Sequence, residues 1–405
     1  MLKVEWLIDN IMDKKAKNSN IKRRDFFKLL TVSGFGVAVS PVLHNKVFAQ
    51  TSEKPAKPLT NISDALQIPR NQNSLPGKYP AKVIKTIHEG SHVDGKIVEN
   101  AAFEMLEKSM LSLTGAANIG EAWLQFVGKN ERIGLKVNPI GGTLLSTSHA
   151  VVKAVIAQLE SAGVPRSNIT IWDRREFQLH EAGFTEENYP GIRIVGTECK
   201  GKDGEWYGAD GKLLGESRID RDWFYWADVE GEYDEYTMPY MVNGGKHSYF
   251  SKILTQELDK VINIPILKNA GSSITLCMKN LGYGVISNTG RLHNQLWGDT
   301  SAQVCAFPPI RDKVVLNIAD GIVGCFQGGP GANPQFIIPY KTLLVGTDPV
   351  AVDRIGYDIV IKKRIEMGVQ EAETERGKEF MVMAAGYGLG EANIDKIDLT
   401  TLNIS

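Results

Sequence analysis

The chain has 405 residues, 42% of them hydrophobic, and its 46 Lys and Arg against 47 Asp and Glu leave a formal net charge of −1. That balance gives no electrostatic basis for binding nucleic acid or an anionic membrane surface. The four cysteines, Cys199, Cys277, Cys305 and Cys325, form no Cys-x-x-Cys pair, so no iron–sulfur cluster is expected, and buried free thiols suit their apolar or small neighbours.

The first recognisable element is Lys22-Arg23-Arg24-Asp25-Phe26-Phe27-Lys28, followed by a mild apolar run from Leu29 to Leu43 and by Val47-Phe48-Ala49. An arginine pair before a short, weakly hydrophobic segment predicts a twin-arginine signal peptide over residues 1–49. A bilayer span needs ~20 apolar residues, which this run lacks, and no later run supplies them. Arg23 and Arg24 would address the chain to the twin-arginine translocase, giving a periplasmic protein whose mature form does not span the membrane. Residues 50–80 are rich in Pro, Ser, Asn and Lys without periodicity and predict a flexible linker or a wrapped arm.

From residue 81 to about 400 the pattern is that of one α/β domain. Ala81 to Ile87 alternates as a strand, and helical spacing follows over 98–113 and 119–127. A strand over 132–137 ends at Asn138-Pro139 and the turn Gly141-Gly142. Ser146-Thr147-Ser148 then offers N-caps for a helix carrying Val151, Val152, Val155, Ile156 and Leu159 on one face, stopped by Gly163. Ile169 to Trp172 is the next strand, and a strand–helix–strand unit of this length implies a parallel pair with a right-handed crossover. The sheet is therefore expected to be mostly parallel with flanking helices. Between about 197 and 245 the chain turns acidic and aromatic, which predicts an inserted β-rich flap. Parallel-type strands resume at 260–267, 314–318 and 343–346, with a helix near 275–281. A helix follows from Pro349 behind the N-cap candidate Asp348, then another near 375–385 and a strand near 394–399.

Strand-like runs here tend to end in polar residues: Lys136 and Asn138, Asp173, Lys268, Asp320 and Asp348. In an open parallel sheet such ends share one edge, where ligands bind. Lys268, Lys279, His293 and Asp320 are the candidate catalytic residues, with Lys136, Asn138, Asn280 and Arg291 as candidate substrate-binding groups. Asp173, Asp320 and His293 are the candidate metal ligands, although no His-x-x-x-His spacing is present. Lysines beside carboxylates suit a small anionic molecule. No Gly-x-Ser-x-Gly elbow occurs, which argues against a serine hydrolase, and Gly328-Gly329-Pro330-Gly331 has neither P-loop nor dinucleotide spacing.

Several motifs together carry a family resemblance. They are Ile264-Pro265-Ile266-Leu267-Lys268, Thr275-Leu276-Cys277-Met278-Lys279-Asn280, Asn288-Thr289-Gly290-Arg291-Leu292-His293, Pro308-Pro309-Ile310-Arg311-Asp312-Lys313, Gly328-Gly329-Pro330-Gly331, and the run from Val345 to Gly356. Over about residues 81–390 the chain resembles the domain of unknown function 362 family, in its twin-arginine-exported branch. That family commonly places an acid and a histidine after the first lysine; Asn269 and Ala270 stand there instead, removing a histidine that a metal site or general base would use. The Lys…Lys-Asn…His layout is also similar to the lactate racemase superfamily, in which lysines and histidines surround a nickel-pincer nucleotide. The resemblance implies a metal or organometallic cofactor and an isomerase or oxidoreductase acting on a small polar or anionic substrate. The alternative is a non-catalytic extracytoplasmic protein for ligand binding or assembly.

Overall fold

The computed structural model describes residues 56–230, 245–271 and 273–405. The twin-arginine segment and its arginine pair lie outside the described residues. From Ala56 to Ser405 the chain forms one compact unit. Residues 56–80 take the wrapped form of the arm: a short helix, α1 (Ile62–Gln67), buries Ala65, and Leu75 is fully buried. The Arg311 guanidinium holds this arm by donating to the carbonyl oxygens of Ile68 (3.1 Å) and Pro69 (3.0 Å).

The main strands and helices then follow in chain order: β1 (Lys82–His88), α2 (Glu99–Thr114), α3 (Ile119–Leu124), β2 (Ile133–Lys136), α4 (His149–Ser161), β3 (Ile169–Arg175), α5 (Glu176–Glu181) and β4 (Arg193–Glu198). The insert contributes β5 (Ile219–Trp226) and β6 (His247–Ser251), an antiparallel pair off the main sheet. The remainder is β7 (Lys260–Asn263), β8 (Ile266–Ala270), β9 (Ser273–Thr275), α6 (Cys277–Gly282), α7 (Trp297–Gln303), β10 (Val314–Cys325), β11 (Ile337–Ile338), β12 (Thr342–Gly346), α8 (Pro349–Glu366), α9 (Glu379–Gly386) and β13 (Asp398–Ile404).

The main sheet runs β13-β1-β12-β10-β7-β2-β3-β4, with β8, β9 and β11 attached beside β10. The run β10-β7-β2-β3-β4 is parallel throughout, as is β1 with β13, while β12 is antiparallel to both β1 and β10. The α/β reading with a mostly parallel sheet and flanking helices therefore holds. One consequence corrects the expectation for Asp348. Because β12 runs against its neighbour, Asp348 leaves the sheet at the opposite edge from Lys136 and Asp173. There it caps α8, accepting from the Ala351 amide at 2.8 Å.

Local chemistry explains most boundaries. Ser148 caps α4 by accepting from the Val151 amide, and Val151, Val152, Val155, Ile156 and Leu159 are all buried beneath it. Each is worth roughly 1.5–3 kcal/mol when removed from water. Gly163 ends the helix at φ +90°, with the Val164 amide reaching back to the Leu159 oxygen. Pro265 splits the anticipated strand over 260–267 into β7 and β8, since it has no amide to give the ladder; its carbonyl instead accepts from the Asp320 amide at 2.8 Å. The last strand lies at 398–404 rather than 394–399, because residues 394–396 form a short 3-10 turn first. All four cysteines are free and buried.

Candidate functional site

The parallel strands β2, β3 and β7 finish at one edge, where Lys136, Asp173 and Asn263 are polar yet buried. Lys136 pairs in register with Trp172 on one side and Asn263 on the other. Its ammonium donates to Asp173 Oδ1 (2.5 Å), the Val137 oxygen (2.9 Å) and Asn280 Oδ1 (3.3 Å). An ammonium has three protons, so this lysine is fully used. Burial lowers its pKa and Asp173 raises it again, which is the signature of a pair that must be made or lost together.

A directed chain of amides leads away from that pair. Asn317 Nδ2 donates to the Thr347 oxygen (3.2 Å), which leaves its Oδ1 to accept from Asn263 Nδ2 (2.9 Å). Asn263 Oδ1 in turn accepts from Asn280 Nδ2 (2.8 Å), and Asn280 Oδ1 accepts from Asn138 Nδ2 (3.1 Å) and from Lys136. Asn138 Oδ1 is the acceptor for Lys268 Nζ at 3.0 Å, and the Ile140 oxygen takes a second Lys268 proton at 2.8 Å. The backbone carbonyl at the far end dictates which way every amide faces. All of these side chains are buried, so the network rigidifies the edge of the sheet only while each member is satisfied.

Outside this network lies a cleft of about 70 Å³. Lys279, His293, Asn138, Asn280, Asp173 and Thr275 line it. Lys279 is 7% exposed, and among the described residues its ammonium makes no hydrogen bond and no ion pair. Its Nζ sits over the rings of Trp297 (5.2 Å) and Tyr283 (5.7 Å), and burial pushes its pKa down to about 8. The Thr275 hydroxyl is likewise buried without a hydrogen-bond partner. His293 packs its ring on Tyr283, centroids 4.5 Å apart, and places Nδ1 3.0 Å from the Thr289 oxygen. A carbonyl only accepts, so Nδ1 carries the proton and Nε2 keeps a lone pair. His293 is an exposed residue, but desolvation of its ring and then the cations Lys279 and Arg174 lower its pKa, which favours the neutral imidazole at pH 7.

Lys268 stands behind Asn138 rather than in the cleft wall, fully buried, and burial with the neighbouring Lys279 pushes its pKa down to about 7. The structure thus brings together Lys136, Asn138, Asp173, Lys268, Lys279, Asn280 and His293. Asp320 is not among them. It lies three residues past Asn317 on β10, and strand alternation sends it to the other face. There it lines a separate cavity of about 540 Å³ with Ser146, Ser148, His149, Ile266 and Val323, accepting from the Ser148 amide at 2.8 Å. Arg291 is also elsewhere. Its guanidinium donates to the carbonyls of Ala227, Val229 and Lys246 and to Ser248 Oγ, so it fastens the insert instead of meeting a ligand.

The metal-ligand set fails on the same geometry. Asp173 and His293 share the cleft but Asp320 does not, and the Asp173 carboxylate is taken by Lys136. Among the described residues no group of three or more His, Cys, Asp or Glu could hold a metal ion. These residues do not fit a protein-held metal centre. His247 stacks on Tyr249 in the insert. No sequence motif marks Arg174, Tyr283 or Trp297, and Thr275 entered only as the first residue of the motif that ends in Lys279-Asn280. Asn263 and Asn317 did carry a signal, since each is an amide set in an otherwise apolar strand run.

Gly284 shows how tightly the edge is built. A Cβ there would stand 2.2 Å from the Asn280 oxygen and 2.5 Å from Lys136 Nζ. Gly284→Ala is expected to displace Lys136 and to lower stability by about 3 kcal/mol, combining overpacking with a loosened buried pair. Urea denaturation of the variant checks this.

Residues 227–358 match the family model described as Domain of unknown function (DUF362), the stretch that holds Lys268, Lys279, Asn280 and His293. No curated protein matches the chain. Among solved structures, a crystal structure of a protein from Thermotoga maritima is similar at 9% identity and a TM-score of 0.30, over 68% of this chain and 59% of that one. The chain therefore spans less than two thirds of that protein's length.

Proposed function

We propose that the protein is an extracytoplasmic enzyme that binds a small anionic molecule in the Lys279 cleft and moves a proton on it, an isomerase-type reaction. The observation that carries this reading is the Lys279 ammonium, buried without an acid or acceptor among the described residues. A buried cation without a partner is costly, and a ligand anion is the missing partner. The unpartnered Thr275 hydroxyl supplies a neutral hydrogen bond to the same ligand. The neutral His293, with its lone pair on Nε2, supplies a base whose tautomer is already set. With about 70 Å³ of water-accessible space the cleft suits a small molecule.

A thermal-shift series with acetate, lactate, phosphate and related small anions tests the reading, followed by assays for turnover of whichever anion stabilises. A saturating ligand at 100 times its Kd adds about 2.7 kcal/mol. Lys279→Met is expected to melt higher than the parent, because an unpaired buried charge has gone, while no longer responding to the anion. An equal response from parent and variant would remove Lys279 from the site. Stabilisation without turnover would favour the non-catalytic binding protein.

The reading places the protein outside the cytoplasm because of the arginine pair before the mild apolar segment. Replacing Arg23 and Arg24 together by lysine is expected to leave uncleaved precursor in the cytoplasm, as seen by fractionation and immunoblot. Normal export of the double variant would refute the twin-arginine route.

A further inference from the structure

We propose that Lys279 is a covalent, imine-forming amine and that the cleft takes small 2-oxo acids, of the size of glyoxylate or pyruvate, through their carbonyl carbon. This rests on the reading of the cleft as an anion site and names its substrate class.

The three lysines of the region differ in what they touch. Lys136 spends its protons on Asp173, the Val137 oxygen and Asn280. Lys268 sits against two neutral oxygens, of Asn138 and Ile140. Lys279 touches two aromatic faces and the open cleft. A lysine kept only to hold charge is anchored by acceptors. One left unanchored, desolvated and close to a second cation is arranged to release its proton and act as a nucleophile. Its pKa of about 8 leaves a usable fraction of free amine at neutral pH.

The remaining groups fit the two ends of a 2-oxo acid. The carboxylate meets the Arg174 guanidinium and the orphan Thr275 hydroxyl, which is 3% exposed; both line the cleft. The carbonyl meets Lys279. The nitrogen lone pair forms the C–N bond while the carbonyl π pair moves onto oxygen. The proton lost by nitrogen passes through His293 Nε2 to that oxygen, giving a carbinolamine. Departure of the hydroxyl with one more proton, as water, leaves the imine. Amine plus carbonyl becomes imine plus water, with no change of oxidation state. His293 and Lys279 share the Tyr283 ring as a platform, which keeps the proton carrier beside the amine.

The test is reductive trapping of the full-length protein with borohydride in the presence of glyoxylate or pyruvate, read by intact mass and peptide mapping. A single adduct on Lys279 is expected, and Thr275→Val should lower its yield severalfold at subsaturating acid. Lys279→Arg keeps the positive charge but cannot form an imine; it should still be stabilised by lactate, which has no carbonyl, and should give no adduct. Adducts scattered over surface lysines, or none, while lactate still stabilises the parent would overturn the imine and leave the anion site standing. Failure of lactate and of the oxo acids alike to stabilise the parent would overturn both.

Discussion

Raising the pH from about 7.5 to 9.5 is expected to favour the folded parent more than Lys279→Met, because deprotonating a buried lysine removes a cost of folding. Burial pushes Lys268 down to about 7 and Lys279 down to about 8, whereas an unfolded chain returns both to the ordinary 10.5. At these two sites the unfolded state binds more protons than the folded one across that interval, so their contribution to stability rises with pH. Below the folded values both lysines are charged in both states and their burial cost is present in full; above 10.5 it has gone. Each lysine contributes up to ~1.4 kcal/mol per pH unit while it is neutral when folded and charged when unfolded. The buried thiols of Cys199, Cys277, Cys305 and Cys325, whose pKa burial raises, oppose this gain over the same interval, and the buried tyrosines Tyr189, Tyr225 and Tyr340 oppose it above pH 10. Urea denaturation of parent and Lys279→Met at several pH values isolates the lysine: the parent's slope should be the more positive by up to ~1.4 kcal/mol per pH unit. Equal slopes would show that Lys279 stays solvated. The same linkage predicts that an anion binding at pH 8.5 draws a proton onto Lys279, visible in calorimetry as a binding enthalpy that varies with the ionisation enthalpy of the buffer.

Asp173→Asn should be among the most damaging conservative substitutions in the chain, lowering stability by about 3–5 kcal/mol. The carboxylate is the only charged partner among the described residues for an ammonium with no solvent exposure. Without it Lys136 must either lose its proton or leave its place, and Asn280 and the amides behind it lose the donor that orders them. The anion response should weaken as well, since Asp173 lines the cleft and holds Lys136 beside Asn280 at its edge. Combining Asp173→Leu with Lys136→Met should recover much of the loss, because a buried pair replaced by apolar groups of similar volume is often close to neutral. A single-variant effect within ~0.5 kcal/mol, the range of surface changes, would mean that the pair is solvated.

The elements of the fold were legible because each follows from local rules: periodicity over α2 and α4, the Ser148 and Asp348 caps, the Gly163 stop, and β-branched runs in the parallel strands. The site was legible in part for the same reason. Residues that end β2 and follow it, Lys136 and Asn138, must lie at the edge where parallel strands finish. Asp173 follows from the neighbouring strand, and Lys279 with Asn280 from a polar pair in an apolar context. Where the rule met a strand of unknown direction or an odd offset it failed, as at Asp348 and Asp320. Arg291 failed differently, since a buried guanidinium takes whatever carbonyls surround it, and those come from an insert far away in sequence.

By itself, then, the order of amino acids determined which segments are strands and helices, that the central sheet is mostly parallel, and which polar residues cannot reach water. Only the tertiary structure decided how those residues share their protons. Lys136, Lys268 and Lys279 read alike in one dimension, and what separates them is the set of acceptors that non-local packing brings within 3.3 Å of two of them and withholds from the third. Hydrogen bonding and desolvation act over a few ångströms between groups more than a hundred residues apart, a distance that no local pattern encodes.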